Sequence, residues 1–202
     1  MYKIILPLFF VFITGCNGVG VVNTNNPQQK LEQADSLLYE QNRPLLAERL
    51  IFEAITEYRQ TNNQFGLANA LRDYGDLLGS SAVAQAGVQF LRAGFHDPDV
   101  TMQNNLDKSK YYFAQSIEHY NLAGIEASRN GELSKLMNIY FNIGGLYARL
   151  GNQSKSCAFL DKASNAYNDA ILQNPHVKLP SPKQGYGSAL DYIKSKQNSI
   201  GC

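Results

Sequence analysis

From Gln28 onward, apolar residues recur three and four positions apart, the spacing that lines one face of an α-helix. Leu31, Ala34, Leu37 and Leu38 make a first stripe. Asn42-Arg43-Pro44 interrupts it, and Pro44 suits the first turn of a second helix carrying Leu46, Leu50, Ala54, Ile55 and Tyr58. Residues 61–66, TNNQFG, read as a loop. Leu67, Ala70, Leu71, Tyr74, Leu77 and Leu78 form a third helix, ended by Gly79. Ser80 or Ser81 caps a shorter helix up to Arg92. Residues 93–105 hold no period, because Pro98 and its flanking aspartates demand a turn. A long helix follows from about Leu106 to Arg129 and is stopped by Asn130-Gly131. Two more are expected, Glu132 to Leu150 and Gln153 to Gln173. Pro175, Pro180 and Pro182 make an extended connection, after which Tyr186 to Gln197 forms a last helix with Leu190 and Ile193. No strand alternation is present. The expected fold is all-α, an array of antiparallel helix pairs with about seven to eight helices.

The first residues depart from this pattern. Ile4 to Ile13 is a run of 10 uncharged residues preceded by one lysine, Lys3. A spanning helix needs roughly 20 apolar residues. A basic start, a short apolar centre and small closing residues instead make a secretory signal. Its end, Ile13-Thr14-Gly15-Cys16, resembles the lipobox of bacterial lipoproteins, with Ile13 and Thr14 standing where that family prefers leucine and alanine or serine. The resemblance implies that residues 1–15 are removed and that Cys16 carries lipid. It also implies that Asn17, not being aspartate, favours transport to the outer membrane, where the chain would face the periplasm. One acyl chain gives only marginal membrane binding, so two or three are needed for retention. Residues 16–27, rich in Gly and Asn, would tether the domain (28–202) at roughly 20 Å from the anchor.

Removing the signal leaves 187 residues, enough for one domain with a substantial core, with 17 basic and 17 acidic side chains. That balance gives no electrostatic reason to hold nucleic acid. With Cys16 committed to lipid, Cys157 and Cys202 remain, an even number in an oxidising compartment. A bond between them would pin the chain end; the alternative is two free thiols with Cys157 buried as a small apolar residue.

Paired helices with short links raise the question of repeats. Tyr140-x-x-Ile143-Gly144-x-x-Tyr147-x-x-x-Gly151, followed by Ser156, Leu160 and Ala163, resembles the tetratricopeptide repeat family. Small residues there let two helices cross closely and large ones fill the gap beside them. Leu71-x-x-Tyr74-Gly75-x-x-Leu78 looks like another first helix. Ala47, Ile51 and Ala54 look like a second helix, as do Ser109, Phe113 and Ser116. The spacings between second helices, 62 and 47 residues, are not multiples of 34, so the resemblance implies an irregular right-handed solenoid.

Chemistry is sparse. His96, His119 and His176 are scattered, with no His-x-x-x-His or Cys-x-x-Cys pair to support a metal site and no cofactor motif. His96-Asp97-Pro98-Asp99 reads better as a turn than as a catalytic group. Gly144-Gly145 lies inside a helix, where helix crossing explains it better than a phosphate loop. Glu118 and Glu126 read as surface charge. Tyrosine couples an apolar face to a polar tip and suits interfaces; Tyr111, Tyr112 and Tyr120 are the candidate partner-binding residues, while Tyr140 and Tyr147 read as core. The expected function is a lipid-anchored protein-interaction module taking a peptide or helix in a groove and serving an envelope machine such as a pilus, secretion or cell-wall complex. An alternative is an immunity-type lipoprotein that binds a toxin acting in the periplasm, such as a lipase or wall hydrolase. A hydrolytic enzyme ranks last.

Overall fold

The computed structural model describes residues 24–177 and 185–202, and among them there is no strand. The signal, Cys16, most of the tether, Pro180 and Pro182 lie outside the described residues. The helices run in order as α1 (Pro27–Tyr39), α2 (Pro44–Gln60), α3 (Gln64–Leu78), α4 (Ser81–Gln85), α5 (Gly87–Ala93), α6 (Asn105–Arg129), α7 (Leu133–Arg149), α8 (Gln153–Gln173) and α9 (Ala189–Ile200). The all-α expectation holds.

Among the described residues there are nine helices rather than seven or eight, and the difference follows from one break. The stretch expected as a single helix to Arg92 divides at Ala86, which closes α4 and opens α5. Gly87 follows it, a weak helix former whose missing Cβ lets the Met102 methyl approach. Two boundaries also differ from the sequence reading. Only residues 61–63 form the link before α3, because Asn63 Oδ1 accepts the Gly66 amide at 2.9 Å and so caps the helix earlier. The last helix begins at Ala189, capped by Ser188 Oγ accepting the Asp191 amide at 3.1 Å, and closes on left-handed Gly201.

Three links are built alike. Residues 61–63, 130–132 and 150–152 each carry a left-handed middle residue: Asn62, Gly131 and Gly151. In each, the third residue's amide reaches back five positions, Asn63 to the Tyr58 carbonyl, Glu132 to Ala127 and Asn152 to Tyr147, at 2.8–3.1 Å. This satisfies helix-end carbonyls and reverses the chain within one turn. The helices therefore stack antiparallel in a row, α1 on α2 on α3, then α6, α7, α8 and α9.

Helices α4 and α5 stand outside that row, and α3 packs on α6 across them. The α3–α6 crossing repeats the α7–α8 crossing. Ser109 Oγ donates to the Gly75 carbonyl at 2.6 Å, and Ser156 Oγ donates to the Gly144 carbonyl at 2.8 Å. A Cβ on Gly75 would lie 2.6 Å from the Phe113 ring, and one on Gly144 2.9 Å from Leu160. Glycine on one helix and serine on the next bring both backbones into contact, and the buried hydroxyls are satisfied.

Residues 79–104 therefore form an insertion inside the α3–α6 pair, and it is tied to α2 and to α6. Glu48 of α2, 1% exposed, accepts the Tyr74 hydroxyl at 3.0 Å and the His96 amide at 2.7 Å, and its second oxygen meets His96 Nδ1. Tyr112 of α6 donates to the Asp97 carboxylate. Phe90 stacks on Phe95 at 4.3 Å, and Asn105 Nδ2 donates to the Leu78 carbonyl at 2.8 Å. His96 and Asp97 are thus structural ties between the insertion and its neighbours.

The core has two parts, one among α1–α3 and the insertion, the other among α6–α9. Lys30 joins α1 to α2 through Glu53 at 2.8 Å and Glu57 at 2.5 Å. At the C-terminal end, Ile193 is the anchor of α9, and Cys157 of α8 and Cys202 sit at disulfide distance with Cα atoms 5.5 Å apart.

Candidate functional groove

Helices α1, α3, α7 and α9 turn polar faces toward a shared groove. It consists of two adjoining hollows of about 610 and about 790 Å³ that have Asp35, Arg72, Asp73 and Asn142 in common. Helical spacing sets the lining. Gln28, Glu32, Asp35 and Tyr39 lie along one face of α1; Phe65, Asn69, Arg72 and Asp76 along one face of α3; Asn138, Asn142, Gly145 and Arg149 along α7; Tyr192 and Lys196 on α9. The opposite faces of these helices bury the core stripes, so fold and groove use the same periodicity.

Arg72 organises the floor. Its Nε and Nη2 donate to Asp73 Oδ1 at 3.0 and 2.8 Å, and its Nη1 to Asn142 Oδ1 at 2.9 Å and to the Tyr120 hydroxyl at 3.2 Å. Tyr120 in turn donates to Asn69 Oδ1 at 2.5 Å. The Asn142 amide donates to Asn138 Oδ1 and to the Asn138 carbonyl, which fixes its orientation. Arg149 Nε lies 3.1 Å from Asp76 Oδ1. One network thus ties α3, α6 and α7 together.

Burial dominates the electrostatics of these groups. It raises the Asp73 carboxyl against the opposing pull of Arg72, and raises the Asp76 carboxyl against Arg149 and Arg72. It also pushes the Tyr120 hydroxyl up to about 12, so that this group stays a donor. For Arg72 burial works against the cation, but Tyr120 and Asp73 outweigh it and leave its pKa raised. The hydrogen bonds fix the geometry of the network, and it offers groups already held in place.

The expected tyrosines are distributed differently from the sequence reading. Tyr111 is exposed. Tyr112 and Tyr120 are buried and are corrected as direct partner contacts. Tyr112 packs edge-on against Tyr74 at 4.7 Å, and Tyr120 is wholly covered with only its hydroxyl reaching the groove network. Tyr120 lies eight positions after Tyr112, so both share the core face of α6, while Tyr111 falls about a quarter-turn away. Tyr140 and Tyr147 are half-buried beside Phe159. Gly144 is the close-crossing residue, but Gly145 lines the groove with nothing within 4 Å of its Cβ position. Glu118 and Glu126 are both exposed.

The groove residues themselves were missed because polar helix positions read as solvated surface. A faint signal exists in Asn69, Arg72, Asp73 and Asp76, a dense polar face on an otherwise apolar helix. Among the described residues no group of three or more His, Cys, Asp or Glu side chains is placed to hold a metal ion, and no helix is long and apolar enough to cross a membrane. Comparison with known proteins gives no match: no family model, no curated protein and no solved structure is similar to this chain.

Proposed function

We propose that the protein is a protein-interaction module that receives a peptide or helix of a partner in the groove of α1, α3, α7 and α9. The observation that carries this reading is the preset Arg72–Asp73–Asn142–Tyr120 network on the floor of a groove whose two hollows measure about 610 and about 790 Å³. Ordering these side chains in advance lowers the entropy cost of binding. The tetratricopeptide-like pattern at residues 140–163 supports the same reading, and the lipobox resemblance at Cys16 supports a position on the periplasmic face of the outer membrane. The Cys157–Cys202 pair suits that compartment.

The test uses the full chain in its own membrane. A photo-crosslinking residue in place of Tyr39, exposed at the groove edge, should join the protein to a partner identified by mass. The same probe at Asp107, exposed on α6 outside the groove lining, should not. The identified partner, purified, should then bind wild type and lose affinity for Lys196→Glu. Equal crosslinking at both positions would overturn the groove assignment. Anchoring is tested separately: Cys16→Ser should abolish palmitate labelling and release the chain from the membrane fraction.

A further inference from the structure

A second concavity lies away from the groove, where α6 and α8 flank α7. It has a volume of about 460 Å³. Tyr140 of α7 and Phe159 of α8 make its apolar seat above fully buried Ile139, and Ile125 of α6, half exposed, forms one rim. Its charged lining is of one sign. Arg129 closes it from α6 and Lys162 from α8, and no carboxylate lines it. Lys162 lies over the Phe159 ring at 4.6 Å and the Tyr140 ring at 5.8 Å, and neither cation has a carboxylate partner among the described residues. Most exposed cations of a charge-balanced chain have no reason to converge on an aromatic floor with no counter-charge. Here two do.

We infer that this concavity is an interaction surface for an acidic linear peptide segment of a partner protein, seating one large apolar side chain between carboxylates. The apolar residue would cover Tyr140, Phe159 and Ile125, and its acidic neighbours would meet Arg129 and Lys162. Ion pairs next to an excluded-water contact discriminate strongly against basic segments. A peptide fits better than an acyl chain. The hollow opens to solvent and its rim carries Asn121 and Ser128, whereas an acyl chain needs an enclosed apolar channel. Tyr120 lines this hollow from beneath while its hydroxyl reaches Arg72, so the surface adjoins the groove network without sharing its charged residues.

The test is panning of displayed random dodecapeptides on the full chain in detergent, beside the double variant Arg129→Glu, Lys162→Glu. Both side chains are exposed, so the fold should survive, and an unchanged circular dichroism melt checks it. The expected result is a set of clones rich in Asp and Glu around Phe, Tyr or Leu. A synthetic copy should bind wild type and weaken at least tenfold on the double variant. Lys196→Glu, in the groove, should leave that binding unchanged, which separates this surface from the proposed groove. Three results would overturn the inference: no clones that depend on Arg129 and Lys162, dependent clones without acidic bias, or binding only to phosphatidylglycerol vesicles.

Discussion

Gly144 and Gly145 are neighbours on α7, and replacing each by alanine should move stability in opposite directions. In a helix interior, Gly to Ala gains about 1 kcal/mol from backbone entropy alone. Nothing lies within 4 Å of a Cβ at Gly145, so that variant should keep the gain. At Gly144 the new methyl would meet Leu160 Cγ at 2.9 Å, Leu160 Cδ2 at 3.0 Å and the Ser156 carbonyl oxygen at 3.2 Å. Leu160 is fully buried and the carbonyl is backbone, so neither can yield without separating α7 from α8. Overpacking of this kind costs about 1–3 kcal/mol, and separation also stretches the 2.8 Å Ser156–Gly144 hydrogen bond. The net expectation is destabilisation by about 1–2 kcal/mol for Gly144→Ala and stabilisation by up to about 1 kcal/mol for Gly145→Ala. For a chain of this size these are Tm changes of about 3–6 °C downward and about 3 °C upward. Thermal and urea melts followed at 222 nm on the disulfide-intact protein measure both. If Gly144→Ala is as stable as Gly145→Ala, the close crossing is not what holds α7 to α8.

Three further outcomes are expected. Cys202→Ser should free α9, seen as faster amide exchange over residues 189–200 with α7 and α8 little changed, because Ile193 is the sole buried residue of that helix. An intact mass that does not rise by two daltons on reducing the wild type would show that no bond forms. His119 should titrate below its ordinary 6.5, because burial, with a smaller contribution from Arg59, outweighs the pull of Glu118. Its neutral ring then contributes stability that is present above pH 6.5 and is lost as pH falls through the lowered folded-state pKa. A proton NMR midpoint above 6.5, or an acid limb of stability unchanged in His119→Gln, would contradict this. Glu48→Ala should cost about 2–4 kcal/mol by stranding the Tyr74 hydroxyl and the His96 amide, and Glu48→Gln less; a urea midpoint within error of wild type for Glu48→Ala would show that the insertion needs no such tie.

How much could be read from the sequence depends on separation along the chain. Helix stripes such as Leu31, Ala34, Leu37 and Leu38 are local, and they were legible. The 140–163 pair was legible because Gly144 and Ser156 lie 12 apart. Gly75 and Ser109 make the same contact 34 apart, and the additional 22 residues hid their pairing. Both halves of that pair carried recognisable patterns, but nothing local says that the chain leaves after Gly79 and returns at Asn105. Tyr112 and Tyr120 failed for another reason: composition marks an amphipathic side chain as interface material, but only its angular position on α6 decides which way it points.

The groove's charges also follow an order that composition hides. Arg72 with Asp73 and Arg149 with Asp76 are paired within the protein, so they contribute geometry more than net attraction. What remains is polarised across the groove. Glu32 and Asp35 stand on α1 with no cation against either among the described residues, and Lys196 stands on α9. A chain-wide charge near zero therefore conceals two carboxylates on the α1 side of the groove and one lysine on the α9 side. An amphipathic segment entering the groove should turn basic side chains to α1 and acidic ones to α9. Helix α9 is held by buried Ile193, by the Cys157–Cys202 pair and by hydrogen bonds from Gln153 to the Ile200 carbonyl and from Gln197 to Asp161, and these contacts keep Lys196 at the groove. On the proposed reading, the orientation of a bound segment depends on that helix staying in place.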